Sequence, residues 1–167
     1  MSYLFEIEPK WNIEDYKRLN YKVDKHKGDD DNKRYIEAGH LPESLTLFNY
    51  FEPNPMPTSI EYIKSHFTKI KNISTAINLF TPGQYMPIHF DRFDTYKRIN
   101  NIVDGSICRY MVMLEDHQPG QMLQVGSSIY TNWRAGAVYG WCNYDLHTFY
   151  NLSIYNRYAV QITGQIA

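Results

Sequence analysis

The sequence is short of cysteine, of net charge and of long apolar runs. Cys108 and Cys142 are its only cysteines, lie 34 residues apart and belong to no Cys-x-x-Cys pattern. They predict neither a disulfide scaffold nor a structural zinc site, and we expect both to be reduced, buried small side chains. The net charge of −1 excludes a strongly basic nucleic-acid binder.

Membrane and export signals are also lacking. No apolar run approaches the ~18 residues that a membrane-spanning helix needs, and Glu6 interrupts the N-terminus before an apolar signal stretch can form. We therefore expect a cytoplasmic protein with no nucleic-acid or membrane partner. The oligomeric state stays open.

The length fits one domain. The chain has 167 residues, of which 16% are aromatic, including 15 Tyr. Domains usually have about 100–150 residues. We expect a single domain over 1–167, with residues 1–73 as a supporting segment of helices and strand and residues 74–164 as the core.

The N-terminal segment carries the helical signals. Glu14–Leu19 follows the capping residue Asn12, and a second helix is predicted to begin at Thr58 or Ser59 because apolar residues recur at helical spacing. Those residues are Ile60, Ile63, Phe67 and Ile70. Leu45–Phe51 is predicted to be a strand, and the mixed charges of Lys22–Arg34 predict an exposed loop.

The rest of the chain is predicted to be mainly β. Short apolar or alternating segments are separated by Gly and Pro turn signals, which is typical of an all-β sandwich or barrel. The predicted strands are Thr75–Phe80, Tyr85–Phe90, Cys108–Leu114, Met122–Val125, Ala137–Trp141, His147–Leu152 and Arg157–Thr163.

Two histidines and one aspartate form a candidate metal site. His89 and Asp91 are two residues apart on a predicted strand, so both side chains point to one face. His147 follows 56 residues after Asp91 on another predicted strand. Two imidazoles and one carboxylate are the facial triad of non-haem Fe(II) oxygenases, which leaves open positions on the metal.

Arg157 comes ten residues after His147. A turn between the two residues would place Arg157 beside the His147 strand, inside the barrel. A buried guanidinium requires an anion and can bind a carboxylate through two parallel hydrogen bonds.

With these four residues the chain resembles the 2-oxoglutarate/Fe(II)-dependent dioxygenases. Their signature, H-x-D followed by a distal His and then by Arg or Lys about ten residues on, reads here His89-Phe90-Asp91, His147 and Arg157. The resemblance covers roughly residues 74–164, and the Arg109–Gln121 segment is similar to small oxygenases of marine bacteria and phages.

The resemblance implies a double-stranded β-helix (jelly-roll) fold and a set of roles. His89, Asp91 and His147 would bind Fe(II), and Arg157 would bind the distal carboxylate of the cosubstrate 2-oxoglutarate. With O2, the enzyme would release succinate and CO2 and hydroxylate a C–H bond. A protein or peptide side chain is the first expected substrate, and an amino-acid-like metabolite is the second.

The sequence differs from several branches of this family at single positions, and these differences favour one reaction over others. Asp91 is the carboxylate that halogenases of this family lack, so the resemblance favours hydroxylation. The demethylases of nucleic acids carry a second Arg where this chain has Thr163, and collagen-type prolyl hydroxylases usually carry Lys where it has Arg157.

Other residues are expected near the cosubstrate. Tyr85 precedes His89 by an even number of residues and is predicted to face the same cavity, although core packing explains it equally well. Tyr110 and Arg109 are further candidates for cosubstrate binding, with packing in the barrel as the alternative for Tyr110 and a surface position as the alternative for Arg109. The Arg92–Gly105 segment follows Asp91 directly and is predicted to be a lid, with a plain surface connection as the alternative.

Two other functions fit the same residues. A cupin-like metalloenzyme would use the same three ligands without 2-oxoglutarate. A non-catalytic jelly-roll binding module would use His89 and His147 as ordinary core residues, and its two imidazoles would lie more than ~10 Å apart, far beyond metal-bond lengths near ~2 Å.

Overall fold

A computed structural model describes residues 3–24 and 29–167 of the chain. Its described part forms two antiparallel sheets from strands that we number in chain order. The strands are β1 (Tyr3–Glu6), β2 (Lys22–Asp24), β3 (Leu47–Phe51), β4 (Ile70–Phe80), β5 (Gln84–His89), β6 (Ile107–Met113), β7 (Gln121–Val125), β8 (Ser128–Tyr130), β9 (Ala137–Cys142), β10 (His147–Asn151) and β11 (Arg157–Ile166).

The larger sheet has the strand order β1-β9-β6-β11-β4-β3-β2 and the smaller sheet the order β5-β10-β7-β8. Both sheets contribute to one buried cluster, in which Phe80 and Met111 of the larger sheet pack with Leu123 and Phe149 of the smaller one. From β4 to β11 the chain passes repeatedly from one sheet to the other, which makes this pair of sheets a jelly roll, so the predicted fold class is confirmed.

Two of the four helices in the described chain pack against the larger sheet. The helices are α1 (Ile13–Lys17), α2 (Asp29–Glu37), α3 (Ser59–Lys64) and α4 (Asp94–Ile99), with a 3-10 turn at Pro42–Leu45. Tyr16 of α1 and Ile63 of α3 are fully buried in a second apolar cluster with Val160 of β11. A hydrogen bond of 2.8 Å between the Tyr16 hydroxyl and Ser59 Oγ joins α1 to α3.

The N-terminal third is more closely joined to the sheet than the sequence indicates. The strands β1, β2 and β3 all belong to the larger sheet, where β1 pairs with β9 and β3 pairs with β4. The predicted helix at Glu14–Leu19 and the predicted strand at Leu45–Phe51 are found at nearly the expected positions.

Two predicted segments are wrong in part. Lys22–Arg34 is not one loop, because it contains β2 and most of α2, while residues 25–28 lie outside the described chain. The α2 sequence begins with three acidic residues and carries Arg34 in its last turn, an order of charges that favours a helix. The helix from Ser59 ends at Lys64, and Ile70, expected on that helix, begins β4.

The two cysteines are joined. Cys108 and Cys142 lie opposite each other on β6 and β9 and form a disulfide, so the prediction of reduced, unpaired cysteines is wrong. Disulfides are rare in the cytosol, and the expected cytoplasmic location loses the support that it drew from reduced cysteines. None of the described helices is long and apolar enough to cross a membrane.

Candidate metal centre

The three predicted metal ligands come together at one end of the smaller sheet. The potential ligand atoms of His89, Asp91 and His147 all lie within 4.8 Å of one another. His89 at the end of β5 lies opposite His147 at the start of β10, with 4.2 Å between the ring centroids. Asp91 follows β5, and its Oδ1 and Oδ2 are 3.8 Å from His89 Nε2 and 3.6 Å from His147 Nε2.

Both imidazoles bond to a backbone carbonyl through Nδ1 and leave Nε2 as the potential metal ligand. The Nδ1 of His89 is 2.7 Å from the Pro87 carbonyl oxygen, and the Nδ1 of His147 is 2.9 Å from that of Asp145. A carbonyl only accepts, so each Nδ1 carries the proton and each Nε2 keeps its lone pair. Such outer hydrogen bonds fix the tautomer and orientation of metal-binding histidines. The donor set therefore fits a divalent metal, although the role of these residues as ligands stays a prediction.

The protonation states suit metal binding. Burial lowers the pKa of His147 to about 4, against the opposing attraction of Asp91. Burial alone would raise the pKa of Asp91, but the Arg109 guanidinium and the neighbouring groups outweigh it and hold that pKa below its usual value. At neutral pH the site thus offers a neutral imidazole and an ionised carboxylate, the forms that bind metals.

Two side chains of the larger sheet hold the Asp91 carboxylate. Arg109 Nη1 lies 3.0 Å from Oδ2, and the indole Nε1 of Trp141 donates to the same oxygen at 2.9 Å. Arg109, expected beside the cosubstrate, is thus close to the candidate ligand Asp91. Sequence reasoning misses Trp141, because no local pattern connects it with a carboxylate 50 residues away.

Arg157 is buried and has no acidic partner among the described residues. It is 4% exposed and lies between aromatic rings, with its Cζ 3.6 Å from the centroid of Phe149 and 4.8 Å from that of Trp133. Its Nη2 is 2.8 Å from the sulfur of Met113, whereas Nε and Nη1 have no hydrogen-bond partner among the described residues. Burial lowers the pKa of Arg157 well below its ordinary value.

One cavity connects Arg157 with the metal centre. It has a volume of about 160 Å³ and is lined by Asp91 and His147 as well as by Arg157. Between them its walls carry apolar side chains such as Met86 and Phe149. The cavity therefore connects the candidate metal ligands with a buried cation.

The predicted position of Tyr85 is wrong. The hydroxyl of Tyr85 forms a hydrogen bond with His40, and Tyr85 does not line this cavity. Met86 lines it instead, because the pairing with β10 shifts between Met86 and His89 and adds one residue to β5 there. A bulge of one residue reverses the alternation of side chains, and Pro87, which has no N–H for the ladder, lies within it.

Tyr110 also lies away from the cavity. It is flanked on β6 by Arg109 and Met111, which line the cavity, so its own side chain points to the opposite face of the sheet. There its ring packs against Phe67 with 5.1 Å between centroids. Arg109 and Tyr110, both proposed for the cosubstrate, are neighbours in sequence and lie on opposite faces.

A larger open cleft adjoins the metal centre from outside. Its volume is about 960 Å³, and His89, Asp91 and Arg109 line it. Tyr35 of α2 and Tyr96 of α4 belong to its walls. The candidate ligand Asp91 therefore lines both this cleft and the cavity that reaches Arg157.

Part of the predicted lid forms a wall of this cleft. Residues 92–105 contain α4, and Phe93 and Tyr96 are buried against Ile107 of β6. The Tyr96 hydroxyl donates to the Asn72 carbonyl oxygen at 2.6 Å. The segment is therefore anchored at Phe93 and Tyr96, and its opening and closing stay a prediction.

Fold and cluster together define a jelly-roll protein with a candidate site for one metal ion. Solved structures similar to this chain include a prolyl-4-hydroxylase of Pseudomonas putida, with 13% identity and a TM-score of 0.55 over 93% of this chain and 97% of that one. A candidate sugar phosphate isomerase of Acidithiobacillus ferrooxidans has 10% identity and a TM-score of 0.50 over 93% and 74% of the two chains. A cupin domain of Bordetella pertussis has 16% identity and a TM-score of 0.38 over 57% and 81%.

At these identities the likeness concerns the fold alone. No family model matches the sequence. No curated protein matches it either. The argument for a function therefore depends on the chemistry of the site.

Proposed function

We propose that this protein is an Fe(II)- and 2-oxoglutarate-dependent oxygenase that hydroxylates a C–H bond. The observation that carries the proposal is Arg157, a buried guanidinium with two unpaired nitrogens in the cavity that Asp91 and His147 also line. Leaving such a charge unpaired is costly, so the cavity is suited to a ligand with a carboxylate at one end and metal-binding oxygens at the other. 2-Oxoglutarate has this arrangement.

The side chains take the following roles in this proposal. His89, Asp91 and His147 hold Fe(II), while Arg157 binds the distal carboxylate of 2-oxoglutarate and so orients its other end toward the metal. The aromatic walls around Arg157 exclude water and strengthen that ion pair. When bound, Fe(II) and 2-oxoglutarate supply with O2 the oxidation that yields succinate, CO2 and the hydroxylated product.

The substrate to be hydroxylated enters through the outer cleft in this proposal. A cleft of about 960 Å³ next to the ligands has room for more than a small metabolite, so a protein or peptide side chain remains the first choice. An amino-acid-like metabolite is the second. Mass spectrometry of a proteome treated with the active enzyme, searched for the gain of one oxygen atom, distinguishes them.

Two features of the site argue against the binding module and the cupin-like metalloenzyme as alternative functions. The binding module requires the two imidazoles far apart, whereas their centroids are 4.2 Å from each other. A cupin-like metalloenzyme without 2-oxoglutarate shares the ligands but gives no role to the unpaired cation at Arg157.

The test is an anaerobic titration of the purified protein, first with Fe(II) and then with 2-oxoglutarate. We expect one Fe(II) per chain and a new visible absorption band when 2-oxoglutarate is added, followed by succinate formation in air. Iron binding without the band and without 2-oxoglutarate binding would instead identify a cupin-like metalloenzyme. Absence of stoichiometric metal binding would overturn both enzyme proposals.

A further inference from the structure

The disulfide and the two donors to Asp91 occupy consecutive positions of one strand pair. In the pairing of β6 with β9, Cys108 lies opposite Cys142, and Arg109 lies opposite Trp141. We propose that the Cys108–Cys142 disulfide holds Arg109 and Trp141 where both donate to Asp91, and that its redox state thereby sets the metal affinity of the site. The inference rests on the proposed function, because it requires Asp91 to be a metal ligand.

The two donors determine which oxygen of Asp91 is left for a metal. A carboxylate oxygen has two lone pairs, and Oδ2 uses both when it accepts from Arg109 at 3.0 Å and from Trp141 at 2.9 Å. Oδ1 then remains as the single ligand atom of this side chain. A carboxylate that binds through one oxygen keeps three positions open on an octahedral metal, which is what the facial triad needs.

Both donors are themselves held in place. Arg109 Nε donates to Thr163 Oγ1 at 3.3 Å, and its guanidinium lies 5.1 Å from the ring centroid of Phe93. Trp141 is 6% exposed and stacks on His147 with 4.3 Å between centroids. Trp141 therefore contacts two of the three candidate ligands, and a change in its position affects both.

The disulfide is also linked to His147, through the turn that contains Asp145. The backbone N–H of Cys142 donates to Asp145 Oδ2 at 2.8 Å, and the carbonyl of Asp145 accepts the Nδ1 proton of His147 at 2.9 Å. Displacement of Cys142 thus acts on Asp91 through Trp141 and on His147 through Asp145.

One sulfur atom is within reach of a reductant. Cys108 is 1% exposed, whereas Cys142 is half-buried and lines a surface pocket of about 330 Å³. A thiolate of an external dithiol can attack Cys142 Sγ, which breaks the S–S bond and releases the Cys108 thiolate. The second thiol of the dithiol then displaces Cys142, so the protein gains two electrons and two protons and the dithiol becomes a cyclic disulfide.

The test compares Mn(II) binding by the oxidised and the reduced protein. Mn(II) is chosen because it prefers carboxylate and imidazole to thiols, and the dithiol is removed anaerobically before the titration. Free Mn(II) is followed by electron paramagnetic resonance. We expect reduction to weaken Mn(II) binding about 10- to 100-fold, the usual effect of losing a partner of a metal ligand.

Variants separate the proposed path from general loosening of the fold. Arg109→Met and Trp141→Phe are expected to weaken Mn(II) binding by similar factors, and Arg109→Lys to restore part of the affinity. In the Arg109→Met/Trp141→Phe double variant reduction should cause a clearly smaller further loss than in the unchanged protein, because the path through Arg109 and Trp141 is gone and only the path through Asp145 to His147 remains. Arg134→Met, at an exposed arginine, is the matched control and should bind as the unchanged protein does.

A Cys108→Ser/Cys142→Ser variant is expected to bind Mn(II) as the reduced protein does and to ignore the dithiol. If this variant does not fold, the comparison of the oxidised and reduced forms of the unchanged chain still tests the inference. Melting curves of the two metal-free forms then show whether both are folded. Equal Mn(II) affinity of two folded redox forms would overturn the inference and leave the proposed function intact. No Mn(II) binding by the oxidised protein would overturn the proposed function itself.

Discussion

The guanidinium carbon of Arg157 lies 3.6 Å from the ring centroid of Phe149, inside a cavity that also reaches Asp91 and His147. Aromatic rings stabilise this cation only in part, because cation–π contacts contribute about 0.5–2 kcal/mol. The unpaired Nε and Nη1 still lack the hydrogen bonds that they make in water. Arg157 is therefore suited to bind an anion and is unfavourable for the stability of the ligand-free fold.

This relationship predicts opposite effects of Arg157→Met on stability and on binding. Replacing a buried charge by an apolar side chain of similar size is often neutral or stabilising by about 1–4 kcal/mol, so we expect urea unfolding of the metal-free variant to show an unchanged or higher free energy. Affinity for 2-oxoglutarate, measured by calorimetry on the Mn(II)-loaded protein, should fall about 30-fold or more, since losing one partner of a buried pair costs roughly 2–5 kcal/mol.

Arg134→Met is the matched control and should change neither quantity, because Arg134 is exposed. A variant at Arg157 that loses several kcal/mol of stability would show that this guanidinium serves the fold. Unchanged 2-oxoglutarate affinity would remove Arg157 from the binding site.

The sequence predicts that His89, Asp91 and His147 come together because the signature of the resembled family implies a pairing of their strands that no local pattern specifies. His89 and Asp91 are two residues apart, and His147 is on the strand that pairs with β5. The turn between His147 and Arg157 takes the chain from β10 in the smaller sheet to β11 in the larger one. The expected position of Arg157 beside the His147 strand is therefore wrong, although both residues line the same cavity. Apolar patterns and turn residues place these strands along the chain but do not specify the sheet to which each belongs.

What the sequence does not predict depends on irregular or long-range pairing. The bulge at Pro87 reverses the alternation on which the position of Tyr85 was based. The Cys108–Cys142 disulfide and the bond from Trp141 to Asp91 follow from the pairing of β6 with β9. Nothing in the local pattern of either strand specifies its partner or the register between them.

The positions of the tyrosines predict that two substitutions leave the cavity unaffected. Tyr85→Phe removes a hydroxyl that contacts His40, and Tyr110→Phe removes one on the other face of β6. We expect both variants to bind 2-oxoglutarate within about twofold of the unchanged protein, less than the ~1.4 kcal/mol that corresponds to a factor of ten. Calorimetry on the Mn(II)-loaded variants is the measurement, and a tenfold loss in either would place that hydroxyl in the site.

Stability should depend on pH through His147. Burial lowers its pKa in the folded protein to about 4 from 6.5, so below pH 6.5 the unfolded chain takes up this proton first. The folded metal-free protein therefore loses up to about 3 kcal/mol as the pH falls from 6.5 to 4. Asp91, whose pKa is lowered, adds a further loss at more acidic pH.

Urea unfolding of the metal-free protein at several pH values between 7 and 4 measures this loss. His147→Gln should flatten the curve between pH 6.5 and 4, and His66→Gln, at an exposed histidine, is the control for the substitution. Parallel curves for the unchanged protein and His147→Gln would contradict the assignment.

The attachment of β1 to the sheet depends on a close approach at Gly136. Its φ is +93°, and a Cβ added there would lie 1.9 Å from the Ile7 carbonyl oxygen, whereas at Gly83, with a φ of +82°, a Cβ would meet nothing within 4 Å. Ile7 N–H donates to the Gly136 carbonyl at 2.9 Å, so the two backbones cannot separate without losing that bond. Both Gly→Ala variants incur the conformational strain of positive φ, roughly 1–2 kcal/mol, but only Gly136→Ala forces β1 away. We expect Gly136→Ala to lower the free energy of unfolding by at least about 2 kcal/mol more than Gly83→Ala does. Urea denaturation of the two variants measures this difference. Equal losses would show that β1 adapts to the added methyl group.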